Sequence, residues 1–509
     1  MARRGHLHEV EVVDDVDPGG ATPDPSPPGG AAAGDGDPAA GSGRRRVALL
    51  VGAGLVVALV VAGVVGQVVV DRRERALIAA VAALPYSVDL LTRPPEPAWE
   101  TTTRYRLQIA DVRTPDGLLV SVPAATQGPV AVTAVDAATG SEVWRTEVLD
   151  GSTHVDPRTG ARALSFPGRC EQAGSRADLV TCWVDDGVEV LTADGSAEIP
   201  PTVTRVLTLD ARDGSVVTDV TGALGAGVMD ASFAAVADVV VVALPTEGGA
   251  DVVAVGPDGA ERWRTTVALP EGADEQWFSV RTVGDLVSVS SPTALRLLDA
   301  HGRTVRSWGR DADSPYIAAE LVAGRVHVVA YPQEGSDATD PDDDVRTTVL
   351  LPEGDVELAG YPLVALDDGS VPGLLLTMRE DGVTAWDVAG EELWTRDGWV
   401  AGNAVLIGGR LHLAGESAVV TLDARTGEVM WESTAMKGTI VPDGRHLLGL
   451  ARAPSTAGEP ELVALDPADG TEMWRSPLPE GTEDVTVSGR MLVAVDSTVG
   501  DDLTLTVLR

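Results

Sequence analysis

The side chains with most chemistry to offer here are two cysteines, seven histidines and one dense acidic run. Cys170 and Cys182 are the whole thiol complement. A matched pair with no third thiol suits one disulfide in an oxidising compartment, with two buried free thiols as the alternative. A bond across so short a loop would stabilise by roughly 2–3 kcal/mol. His6, His8, His154, His301, His327, His412 and His446 are scattered. None forms a HExxH motif or a His/Cys cluster of zinc-binding spacing, so surface or strand-end roles are expected of them. The run SDATDPDDDV, Ser336 to Val345, concentrates carboxylates. Calcium needs convergent oxygens on a defined loop, and this run departs from the DxDxDG…E pattern, so it reads as a solvated loop between strands. No nucleophile elbow, Walker loop or dinucleotide fingerprint stands in its required context. Catalytic, cofactor-binding and metal-binding residues are therefore not assigned.

Composition narrows the classes further. The formal net charge of −39 argues against nucleic acid and against docking of the folded part on anionic lipid, both of which need clustered Lys and Arg. Lys437 is the single lysine beside many arginines, a bias that fits a GC-rich bacterial source. Hydrophobic residues make up 44% and aromatics only 4%, so Val, Leu and Ala must fill most of any core.

Residues 1–43 lack apolar periodicity and are rich in Pro, Gly, Ala and Asp, which predicts a disordered tail. Arg44, Arg45 and Arg46 then precede VALLVGAGLVVALVVAGVVGQVVV, Val47 to Val70. As a helix this run would be about 36 Å long, enough to span a ~30 Å hydrocarbon layer, so residues 44–70 are expected to form a basic flank and one uncleaved transmembrane helix. Arg72, Arg73 and Arg75 balance the basic flank, so charge alone leaves the orientation open. The cysteine pair and the short tail place the larger part outside the cytoplasm, at the cell membrane. Residues 71–98 read as a helical stalk ended by Pro85 and a Pro-rich linker.

From residue 99 onward the pattern becomes short apolar strands between turn residues. One phrase recurs: AVTAVDAATGSEVWRT at 131–146, AVVTLDARTGEVMWES at 418–433 and ELVALDPADGTEMWRS at 461–476. Weaker copies begin at Arg205, Asp251, Ala294 and Gly382, and a degenerate one at Thr347. In each clear copy a strand ends at Asp, a Gly follows three or four residues later, and the next strand carries Trp. Asp can bond turn amides, Gly supplies positive φ, and Trp suits the seam between adjoining sheets. Anchors at 136, 210, 256, 299, 387, 423 and 466 set a spacing of about 40–45 residues for four short strands, the signature of a propeller blade. The last unit, from Asp484, lacks its final strand, and TTTRYRLQI after Trp99 could supply it and close the ring.

These units resemble the PQQ-like β-propeller repeat family over residues 99–509. Its members include quinoprotein dehydrogenases, propeller domains of bacterial kinases and a lipoprotein subunit of the outer-membrane β-barrel assembly machine. The resemblance implies an all-β propeller, expected to have eight four-stranded blades with seven to nine allowed. In the dehydrogenases it would imply PQQ, calcium, a catalytic Asp and a disulfide between adjacent cysteines. Cys170 and Cys182 are not adjacent, and no segment matches the catalytic Asp region, so no such residue is carried over and no cofactor is expected. The expected function is a membrane-anchored extracytoplasmic binding or scaffold module for a protein or cell-envelope ligand. A PQQ-dependent membrane-bound oxidoreductase is the alternative, and an external sensor lacking its own output domain a third.

Overall fold

The computed structural model describes residues 67, 72, 75–82 and 84 and most of the chain from 87 to 509, apart from stretches of which 105–108, 124–128, 151–162, 225–232, 269–277, 310–315, 332–344, 399–403, 452–459 and 498–501 are the longest. The chain divides into residues 1–70 and 71–509, and all that is described except Gln67 belongs to the second unit. The expected tail, the span Val47–Val70 (Gln67 apart), His6, His8, His154 and nearly all of the acidic run lie outside the described residues. Among the described residues no helix is long and apolar enough to cross a membrane.

The second unit is an all-β propeller of nine blades, one more than the eight expected from the sequence. The two weakest copies in the sequence are both complete blades. The degenerate copy is the outer half of blade 5: Tyr316–Val322, Arg325–Tyr331, Arg346–Val349 and Val356–Ala359. The terminal unit is blade 9: Asp484–Ser488, Met491–Asp496 and Asp502–Leu508, completed by Pro97–Arg104. The closing strand runs antiparallel to the last one, with Thr101 opposite Leu505 and Thr102 opposite Thr504. Glu96 and Arg509 exchange two backbone hydrogen bonds at its end. The earliest and latest parts of the wheel thus share one sheet, which removes the edges an open array would expose.

Blade 1 shows the repeating plan. Strands Val112–Arg113, Leu118–Ser121, Val130–Asp136 and Glu142–Leu149 pair in sequence order. Asp136 accepts hydrogen bonds from the amides of Ala138 and Thr139 in the turn, and Gly140 adopts φ 68°. The chain needs that conformation to reverse within four residues, and only glycine takes it at no steric cost.

The core is divided among the seams. Nine hydrophobic clusters lie between successive blades, one per seam, and the cluster joining Leu119 and Ala137 of blade 1 to Val493, Leu505 and Val507 of blade 9 completes the circle. Tryptophans stand in the seams as the sequence suggested, Trp474 among them between blades 8 and 9, and five of them share one geometry. Trp99, Trp144, Trp263, Trp394 and Trp431 each donate their indole N–H, at 2.9–3.3 Å, to a carbonyl of the next blade's turn: Ala137, Ala211, Ala300, Ala424 and Pro467. Each ring lies so close over the following turn glycine that a methyl group there would come within 2.4–2.7 Å of it. The turn glycine therefore has two reasons to be glycine, its φ and the ring above it.

Trp308 departs from this plan. Its turn is as long as that of blade 6, but the position equivalent to Trp394 is held by Arg306, whose guanidinium pairs with Asp355 of blade 5 at 3.0 Å. Trp308 sits two residues further along, half-buried in the same seam.

Candidate functional site: the axis of the wheel

The first strands of the blades converge. Glu171, on Gly168–Ala173 of blade 2, accepts a hydrogen bond from the Ala235 amide of blade 3 at 3.0 Å and one from Thr282 of blade 4 at 3.4 Å. Arg169 of the same strand lies 3.6 Å from Glu171, donates to the Phe233 carbonyl and stacks its guanidinium over the Phe233 ring. Asp111, at the entry to blade 1, accepts from the Cys170 amide. One carboxylate thus ties three blades together. Burial pushes the Glu171 carboxyl above its usual range, against the lowering effect of Arg169.

The opposite side of the axis is covered by the chain itself. Residues 75–82 are helical. Val81 is fully buried, and with Leu77 and Leu84 it packs on Val405 and Ile407 of blade 7 and Ile440 and Leu447 of blade 8. Ile78 closes over Gly444, where any side chain would collide with its backbone. The linker then crosses the turns of blades 8 and 9. Val88 and Asp89 donate their amides to the Pro442 and Arg490 carbonyls, and Leu91 donates to Asp443. The Asp89 carboxylate pairs with both Arg490 and Arg113, reaching blade 1. From residue 75 the helix and the Pro-rich linker form a clamp across blades 7, 8, 9 and 1.

A second piece fills the same side. In blade 6 the connection after Tyr361–Pro362 is long, and Ala365–Asp367 leaves to run parallel to Ala404–Ile407 of blade 7 on that strand's inner edge. Leu366 joins the cluster around Val81. Asp368 and Ser370 then accept from the amides of Gly408 and Gly409. A wheel of nine blades has a wider axis than one of seven or eight, and its inner strands would present open edges. The added strand and the helix cover them on this side.

The residues singled out in the sequence are dispersed. Cys170 and Cys182 face each other across the first hairpin of blade 2 and are bonded (S–S 2.11 Å), with Cys182 fully buried in the seam between blades 1 and 2. His301 is exposed on a turn. His327, His412 and His446 are buried, correcting the expectation of surface or strand-end roles for the first two, which lie within strands. His412 bonds Thr421 at 2.7 Å beneath the Trp431 ring, and His446 bonds Asp443 at 2.9 Å beside Trp474. Burial, with a neighbouring arginine, lowers His327 to about 4 and His412 to about 3, so both are neutral imidazoles. No group of three or more His, Cys, Asp or Glu among the described residues is arranged to hold a metal. The bonded cysteines lie inside a seam core and are not the adjacent pair that the resemblance implies for the dehydrogenases. Glu171, the clamp and the inner strand were missed in sequence. The one signal for the strand was the unusually long gap between Tyr361 and Leu375.

A closed wheel of four-stranded blades with Trp-over-Gly seams defines the class, a β-propeller of PQQ-like repeats. The sequence matches the PQQ_2 family, described as outer membrane protein assembly factor BamB, over residues 110–331 and 417–508, and the chain belongs to that family. No curated protein sequence matches it. Among solved structures it is similar to BamB from Moraxella catarrhalis (14% identity, 81% of this chain and 99% of that one, TM-score 0.35). It is also similar to the quinohemoprotein alcohol dehydrogenase ADHIIG from Pseudomonas putida HK5 (11% identity, 83% and 78%, TM-score 0.37) and to apo AztD from Citrobacter koseri (14% identity, 63% and 95%, TM-score 0.31).

Proposed function

We propose that this chain is a membrane-anchored, extracytoplasmic propeller that works as a rigid binding or scaffold module for a protein or cell-envelope ligand. The observation that carries the reading is the use made of two carboxylates, half-buried Glu171 and buried Asp443. Glu171 links blades 2, 3 and 4, and Asp443 holds His446 and the linker at Leu91, so both serve the scaffold. The family description, an assembly factor, supports a protein partner. The apolar run Val47–Val70 supports an anchor, and the Cys170–Cys182 bond supports an oxidising compartment. The reading takes neither PQQ nor calcium.

The test is cross-linking in intact cells followed by purification of the full chain, with protease added from outside as a topology control. Recovery of a reproducible envelope partner and cleavage of the propeller from outside are expected. Cleavage only after the membrane is opened, or dye-linked alcohol oxidation by the purified chain once PQQ and calcium are added, would replace this reading.

A further inference from the structure

Successive seams can be compared position by position, because the strand register aligns them. In blade 2, Leu207 lies three residues before the turn Asp210 and pairs with Cys182, and both are fully buried against blade 1. The aligned pair in blade 1 is Thr133, three before Asp136, with Ser121 opposite it. Across the seam, Val148 stands four residues after Trp144, and Thr103 stands four after Trp99. Three hydrophobic positions of the seam between blades 1 and 2 thus become hydroxyls between blades 9 and 1. The seam is hollow where they meet: a cavity of about 200 Å³ is bordered by Trp99, Thr101, Thr103, Ser121, Thr133 and Ile109.

We propose that this hollow seam is a binding site for one neutral sugar ring, free or at the end of an envelope glycan. The space would hold about six waters and is smaller than the sites that take drug-sized ligands. Each hydroxyl can both donate and accept, which matches a ligand whose own groups do the same. The indole of Trp99 and the side chain of Ile109 offer apolar surface for the C–H side of a ring. The site stands apart from the scaffold reading: a wheel that recruits no protein could still bind a sugar here.

The probes are glucose, galactose, mannose and N-acetylglucosamine, with disaccharides ending in each, titrated onto the full chain in detergent and read by saturation-transfer NMR. At least one is expected to bind saturably in the millimolar range. Thr133→Leu, which copies the filled seam, should weaken it by about tenfold or more without lowering Tm. Ser121→Val gives a second filling variant should the first not fold. Tighter binding of a disaccharide points to a glycan end, and equal binding to a free sugar. The proposal is overturned if nothing in the panel saturates by about 100 mM, or if the filling variants bind as well as the parent.

Discussion

The seam between blades 6 and 7 and the seam between blades 4 and 5 face the same packing problem and solve it with different chemistry. In the first, Trp394 lies over Gly427, is buried in an aliphatic cluster and bonds the Ala424 carbonyl. In the second the same place is taken by Arg306 and Asp355, both partly exposed. A buried indole removes a large apolar area from water, whereas an exposed ion pair contributes at most about 1 kcal/mol. Two other seams also lack the indole. Between blades 5 and 6, Val356 and Leu358 approach Gly390, and between blades 2 and 3, Trp183 stacks on Phe233 from a different strand. The irregular seams are those between blades 2 and 3, 4 and 5, and 5 and 6, while those between blades 1 and 2, 3 and 4, 6 and 7, 7 and 8, and the closing seam keep the indole. The wheel is therefore expected to be mechanically uneven, weakest across the seam held by the exposed Arg306–Asp355 pair.

The largest effect should come from the closing strand. Removing residues 1–104 takes Pro97–Arg104 from blade 9 along with the clamp, and should yield an insoluble or unfolded chain. Removing 1–70 should leave the circular dichroism melt of the propeller nearly unchanged. Next, Trp394→Ala should cost about 3–5 kcal/mol in urea unfolding, because it empties a filled seam. Arg306→Ala should cost less than about 1 kcal/mol. Equal losses would erase the distinction between the two kinds of seam.

Acid should act through two of the seams. His412 lies beneath Trp431, and His327 pairs with Val349 in the cluster between blades 5 and 6. Both folded-state values lie below the ordinary 6.5, so the unfolded chain takes up the protons. The stability that depends on neutral imidazole is complete above about pH 6.5 and is lost as pH falls toward 4 and then 3, on the order of 3 kcal/mol per histidine. His412→Gln should flatten the decline of Tm over that interval. A decline as steep as the parent's would assign the acid sensitivity elsewhere. A smaller effect, about 2–3 kcal/mol, is expected from reducing Cys170–Cys182, which closes only a short loop.

The repeat was legible because Asp, Gly and Trp each answer a local need: a turn amide, a positive φ, a seam. Each need stays within one blade or one neighbour, so it leaves a mark at fixed spacing. Counting the repeats one by one gives nine, and eight is expected only because propellers typically have four to eight blades; blade 5, with no tryptophan on its outer strand and no Asp at its turn position, is the faintest of the nine. The clamp and the inner strand were not legible for another reason. Leu77, Val81 and Leu84 form an apolar face that would serve any helix, and Ala365–Asp367 is too short to announce a strand. What gives both a place is the width of the axis, which depends on blade number and on no single residue. Glu171 was likewise invisible, since its partners Ala235 and Thr282 come together only when three first strands converge.

The closure of the ninth blade is tested most directly by a cross-link. Thr102 and Thr504 lie opposite each other on Pro97–Arg104 and Asp502–Leu508. Cysteines placed at both positions should form an intramolecular disulfide under mild oxidation, giving a faster-migrating monomer on a non-reducing gel and a raised Tm. Failure to cross-link, or cross-linking only between molecules, would contradict a wheel that closes on itself.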